Sequence, residues 1–172
     1  MKRSTIAHNT KVAKNCYKET FWSMQLSSLY CLYYDIDFSK QKIRNFNKAL
    51  TKHDEEARSR DIDLFEIEHR FRKMGFDCEK EAIQFPFRAK VKMAGKIHTR
   101  DMDVAVHNIN DAIETYLVLA IYTLRKNYHF SMDKIRQWWQ CIRDFSINYA
   151  TGMNDEHVIE YFIQECGLGI NK

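Results

Sequence analysis

Phe38-Ser39-Lys40-Gln41-Lys42-Ile43-Arg44-Asn45-Phe46 returns 92 positions later, without a gap, as Phe130-Ser131-Met132-Asp133-Lys134-Ile135-Arg136-Gln137-Trp138. Between positions 30 and 44 seven of fifteen residues are identical at this offset, where unrelated sequences give about one. The match extends outward through Tyr30 and Tyr122, Leu32 and Leu124, Val12-Ala13 and Val104-Ala105, Asp63 and Asp155, Ile67-Glu68 and Ile159-Glu160, and Gly75 and Gly167. An internal repeat of this length is a small domain-sized unit, and two copies predict a pseudo-twofold pair.

Each copy reads as three helices. In the first, Val12, Cys16, Tyr17, Phe21, Met24 and Cys31 form an apolar stripe over about 10–34, following a polar arm at about 1–10. Asp35 to Phe38 breaks that helix, and Ser39 offers an N-cap to a second one at about 40–58, which buries Ile43, Phe46 and Leu50 and frays from His53. Asp61 or Asp63 caps a third, carrying Leu64, Ile67, Phe71 and Met74 to a stop at Gly75. The second copy repeats the plan at about 101–127, from Ser131, and from Asn154 to Cys166. Between them Phe85, Phe87, Ala89, Val91 and Met93 alternate with Arg88, Lys90 and Lys92, the period of a strand with one basic face. The expected fold is therefore mainly α: two tandem three-helix repeats, residues 1–77 and 93–172, in a pseudo-twofold arrangement. A basic linker at 78–92 joins them, with a β-hairpin at about 84–100.

Composition agrees with a helical globular chain. Of 172 residues 45% are hydrophobic, with five Gly and one Pro, which argues against disorder and against an all-β sandwich. The five cysteines are odd in number and lack CxxC spacing, so they read as reduced thiols of a cytoplasmic protein. No apolar run follows Met1-Lys2-Arg3, and the stretch from Tyr116 to Leu124 is too short to cross a bilayer, so no membrane partner is expected.

Charge is unevenly placed. Residues 1–18 hold Lys2, Arg3, Lys11, Lys14 and Lys18, and residues 82–100 hold Arg88, Lys90, Lys92, Lys96 and Arg100, with no acid in either segment. The net charge of +4 thus conceals two basic segments on an otherwise acidic body. Such segments suit phosphate backbones or an acidic protein surface, although a charge run also serves simply as a solvated face. Trp139 stands where the first copy has the polar Asn47, which predicts an exposed indole suited to base stacking or to anchoring an interface; Trp138, opposite Phe46, reads as core.

Catalytic motifs are sparse. There is no Gly-x-Ser-x-Gly elbow and no glycine-rich phosphate loop, and no cofactor is called for. One metal-ligand candidate stands out: Asp101, Asp103 and His107, with His98 nearby, since Asp103 and His107 lie one turn apart on a helix. Capping of that helix by Asp101 or Asp103 explains the same residues more simply.

The block Leu119-Ala120-Ile121-Tyr122-Thr123-Leu124, the Phe130-Ser131-x-x-Lys134-Ile135-Arg136 core and the ending Ile159-x-x-Phe162-x-x-Glu165-Cys166-Gly167-Leu168 resemble a pattern in small uncharacterised helical proteins of phages and prophages of Gram-positive bacteria. This chain departs from the commonest form at His129-Phe130-Ser131 and Asp37-Phe38-Ser39, where glycines are usual. The resemblance implies a phage or mobile-element origin, the cytoplasm of a bacterial host, and a regulatory or counter-defensive role. The expected function is a non-enzymatic, anti-CRISPR-like inhibitor that binds a host protein or ribonucleoprotein effector. A DNA-binding phage regulator and a small metal-dependent nuclease are the alternatives, and a homodimer is compatible with the repeat.

Overall fold

The computed structural model describes residues 3–95, 101–150 and 156–168, and the side chains of 3–6 and 156–159 are left aside. Its elements are α1 (Arg3–Tyr34), α2 (Lys40–Arg58), α3 (Leu64–Lys73), α4 (Cys78–Ile83), α5 (Phe87–Met93), α6 (Met102–Tyr128), α7 (Met132–Ala150) and α8 (Glu156–Cys166). Among the described residues there is no strand, and no helix is long and apolar enough to cross a membrane.

The chain turns where capping chemistry says it should. Ser39 accepts from Lys42 N–H to start α2, and Asp63 accepts from Phe65 and Glu66 N–H to start α3. Ser131 accepts from Lys134 N–H at 3.3 Å, the same distance as its counterpart at Ser39. Gly75 and Gly167 take φ of 80° and 60°, a left-handed conformation that ends a helix without crowding a Cβ. Loss of either hydroxyl, Ser39→Ala or Ser131→Ala, should cost about 1 kcal/mol, read as a lower urea midpoint with an unchanged slope.

α1 and α6 run side by side in the same direction through the centre. His8 lies against Asp101, the rings of Phe21 and Tyr116 meet at 5.4 Å, and those of Phe38 and Phe130 at 5.8 Å, so contacts advance along both helices together. Every side chain from Tyr116 to Ile121 is buried, because α6 is covered by α1, α2, α3 and α4 on successive faces. Each fully buried leucine or isoleucine there contributes roughly 1.5–3 kcal/mol, which makes α6 the spine of the molecule. The free thiols of Cys16, Cys31, Cys78 and Cys166 are part of the same interior.

Several details recur at the 92-residue offset. Asp37 and His129 both adopt positive φ, of 62° and 56°, and Phe38 and Phe130 N–H donate to Leu32 and Leu124 C=O. Arg44 Nε donates to Cys166 C=O at 2.7 Å beside Gly167, while Arg136 Nη2 donates to Gly75 C=O at 3.4 Å. Tyr30 packs on Phe145 at 4.5 Å, and its counterpart Tyr122 packs on His53 at 4.8 Å.

Three expectations need correction. Residues 3–10 form no separate arm, because α1 is helical from Arg3. The second helix does not fray at His53: that side chain is 4% exposed, its Nδ1 lies 2.8 Å from Thr123 Oγ1, and α2 continues to Arg58. Burial, together with Lys126 close by, lowers the His53 pKa, so the ring packs as a neutral imidazole.

The third correction is the hairpin, whose first half is α5. Pro86 precedes the helix, where a missing N–H costs nothing, and Phe85, Ala89 and Met93, spaced by four, turn inward. Phe87, inward in the strand reading, is 58% exposed. The same residues satisfy periods of two and of four, and only the helical one buries them here. Its second half, Lys96 to Thr99, lies outside the described residues.

Candidate functional site

The basic residues singled out from sequence separate into a free set and a structural set. Lys11, Lys14 and Lys18 are exposed at helical spacing of three and four, so they share one face of α1. Over about 10 Å of helix they present three ammonium groups, with no paired carboxylate among the described residues. Arg88 and Lys92 are exposed on α5, where the Lys92 ammonium sits 5.3 Å from the Tyr149 ring centre. Lys2, Lys96 and Arg100 fall outside the described residues, as does the Arg3 side chain.

α5 abuts the same long helix, since Ser23 Oγ donates to Met93 C=O at 3.3 Å. Asp101 meets His8 across the starts of α6 and α1 at 3.0 Å. Met93 and Asp101 therefore both meet α1, at Ser23 and at His8, about 22 Å apart along the helix. Both α1 and α6 point their N-termini to the His8–Asp101 end, and aligned helix dipoles add positive potential there.

Two of the predicted contact residues belong elsewhere. Lys90 is 4% exposed, and its ammonium donates to Ile83 C=O at 2.8 Å and to Asn110 Oδ1 at 2.7 Å, tying α5 to the end of α4 and to α6. Burial pulls its pKa down to about 8.

Trp139 is likewise buried, at 4% exposure. Its indole N–H donates to Glu81 Oε2 at 2.6 Å, Arg143 reaches the same oxygen at 3.3 Å, and Phe85 packs on the indole at 5.3 Å. α4 and the turn that leads from it into α5 are what cover it. Trp138 is core, as its pairing with Phe46 predicts.

The metal candidates diverge. Asp101 sits at the start of α6 without a side-chain capping bond, buried and turned to His8. Asp103 and His107 are exposed, and His107 pairs loosely with Asp111 at 3.4 Å; His98 is outside the described residues. Among the described residues no group of three or more His, Cys, Asp or Glu side chains converges to hold a metal ion.

The repeat-conserved cations Lys42, Arg44, Lys134 and Arg136 are used internally. Lys42 lies over Phe38 and Lys134 over Phe130, while the two arginines cross to the glycine turns described above. Of the basic residues singled out from the sequence, Lys11, Lys14, Lys18, Arg88 and Lys92 are the ones exposed among the described residues. Comparison with family models, curated proteins and solved structures finds no match for this chain.

Proposed function

We propose that the protein is a non-enzymatic binding protein of phage origin that inhibits a nucleic-acid-handling effector of its bacterial host by docking a lysine face on a polyanionic surface. The observation that carries this reading is the row Lys11, Lys14 and Lys18, exposed on one face of α1 and without carboxylate partners among the described residues. Exposed ammonium groups without carboxylate partners gain from meeting phosphates, because each contact releases condensed counterions. The cytoplasmic, anti-defence setting comes from the sequence resemblance alone.

We also infer that the fold is two copies of one helical unit, residues 1–77 and 93–172, about a pseudo-twofold axis. The reciprocal contacts of Arg44 at Gly167 and Arg136 at Gly75, and the meeting of Phe38 with its own counterpart Phe130, support it.

The decisive experiment measures inhibition of RNA-guided nuclease ribonucleoproteins, with target-DNA cleavage followed at increasing salt. Inhibition should be saturable and should weaken with salt. The triple variant Lys11→Glu, Lys14→Glu, Lys18→Glu should abolish it while unfolding at the wild-type temperature, as exposed substitutions allow. Salt-insensitive inhibition, or none, overturns the reading. Equal affinity for a random DNA duplex at physiological salt, without inhibition, favours the DNA-binding regulator instead.

A further inference from the structure

Two clefts lie 92 residues apart in sequence and are finished in opposite ways. The first forms where the end of α1 meets α8. Tyr30, Tyr33 and Tyr34 close on Phe162 with ring centres 5.7, 5.8 and 6.1 Å away. The Glu165 carboxylate caps the rings, accepting from Tyr33 Oη at 3.1 Å and Tyr34 Oη at 3.3 Å and pairing with Lys40 at 3.2 Å.

The second forms where the end of α6 meets α3. Tyr122 stands in the place of Tyr30, but Arg125, Lys126 and Arg70 occupy the places of Tyr33, Tyr34 and Phe162. Three rings have become three cations, and a hollow of about 340 Å³ lies between them, with Ile67, Phe71 and Met74 beneath.

The rim charge is only partly used. Arg70 is held by Glu66 one turn back, Arg125 donates to Phe130 C=O at 3.3 Å, and Lys126 donates to Tyr122 Oη at 3.0 Å with its ammonium 4.9 Å from that ring centre. Among the described residues neither Arg125 nor Lys126 has a carboxylate partner. An apolar floor under unpaired cations selects a group that is aromatic at one end and anionic at the other.

We propose that this cleft binds an aromatic side chain presented by an acidic segment of a protein partner. The ring enters over Ile67 and Phe71, and flanking carboxylates meet Arg125 and Lys126. The filled cleft is the internal argument for a protein occupant: in the same frame, rings and a glutamate carboxylate from protein side chains make a complete set of contacts. This contact is distinct from the lysine face of α1 and does not rest on it.

The test is fluorescence anisotropy with a labelled twelve-residue peptide, rich in Asp and Glu around one central tyrosine, titrated with the full chain. Wild type should bind saturably. The double variant Arg125→Tyr, Lys126→Tyr, which transplants the residues of the filled cleft, should weaken binding at least about tenfold, as should replacing the peptide tyrosine by serine. Met74→Glu gives a second variant that blocks the floor from an exposed position. Thermal unfolding of each variant shows whether it is folded, and the lysine-face variant of α1 should bind the peptide as wild type does. Equal binding to the double variant or to the serine peptide overturns the proposal. So does binding of an oligothymidylate probe in the cleft with the peptide excluded, which assigns the site to nucleic acid.

Discussion

Trp138→Ala should lower stability by about 3–5 kcal/mol, the range for truncating a fully enclosed tryptophan. The side chain is 0% exposed and is the largest fully buried one among the described residues. Small domains have roughly 5–15 kcal/mol in total, so this one change should leave the chain marginal at 37 °C. The counterpart position holds Phe46, also 0% exposed, which makes Trp138→Phe the informative comparison. Phenylalanine removes volume but also removes an indole N–H that has no acceptor, so its loss should be well under that of alanine. Urea unfolding followed by circular dichroism at 222 nm measures both without relying on tryptophan emission. A midpoint for Trp138→Ala within error of wild type would show that the interior packs differently.

The second large effect is a pH dependence carried by Lys90. The unfolded chain holds its proton up to the ordinary lysine pKa of 10.5, and the folded chain releases it at about 8. Between those values the unfolded state binds more protons, so stability rises with pH through this window. The gain amounts to up to about 3 kcal/mol, trimmed by the two oxygens that accept from the ammonium. Lys90→Met has no proton to lose, so the wild-type advantage over it should grow from pH 8 to pH 10.5. The difference curve is the proper readout, because Tyr34, raised to about 12, and Tyr116, also raised, pull stability the other way over the alkaline range. A flat difference curve would mean that Lys90 is solvated.

The proposed cleft contact and the proposed lysine-face contact make separable demands on a partner. A complex that depends on both should lose affinity in two steps, one on reversing the charges of Lys11, Lys14 and Lys18 and one on removing the partner's aromatic residue over Ile67 and Phe71. Agreement of the two maps on one effector would place the α1 face and the α3–α6 cleft on the same complex.

What the linear sequence determined here is local and periodic. The capping hydroxyls of Ser39 and Ser131, the carboxylate of Asp63, the stop at Gly75 and the buried stripe of Ile43, Phe46 and Leu50 can be read directly, because each depends on neighbours within a turn or two. The duplication adds Trp138 as core by analogy with Phe46. Burial that depends on distant segments was not legible. Trp139 is covered by Phe85 and Glu81, Lys90 is enclosed against Asn110 of α6, and α5 is a helix because its four-residue spacing meets α1 and α7. The open cleft beside Arg125 needed both kinds of information. Its cations are plain in the sequence, but that they stand around a hollow, in the places of rings that pack together elsewhere in the molecule, follows only from how α3 and α6 come together in space.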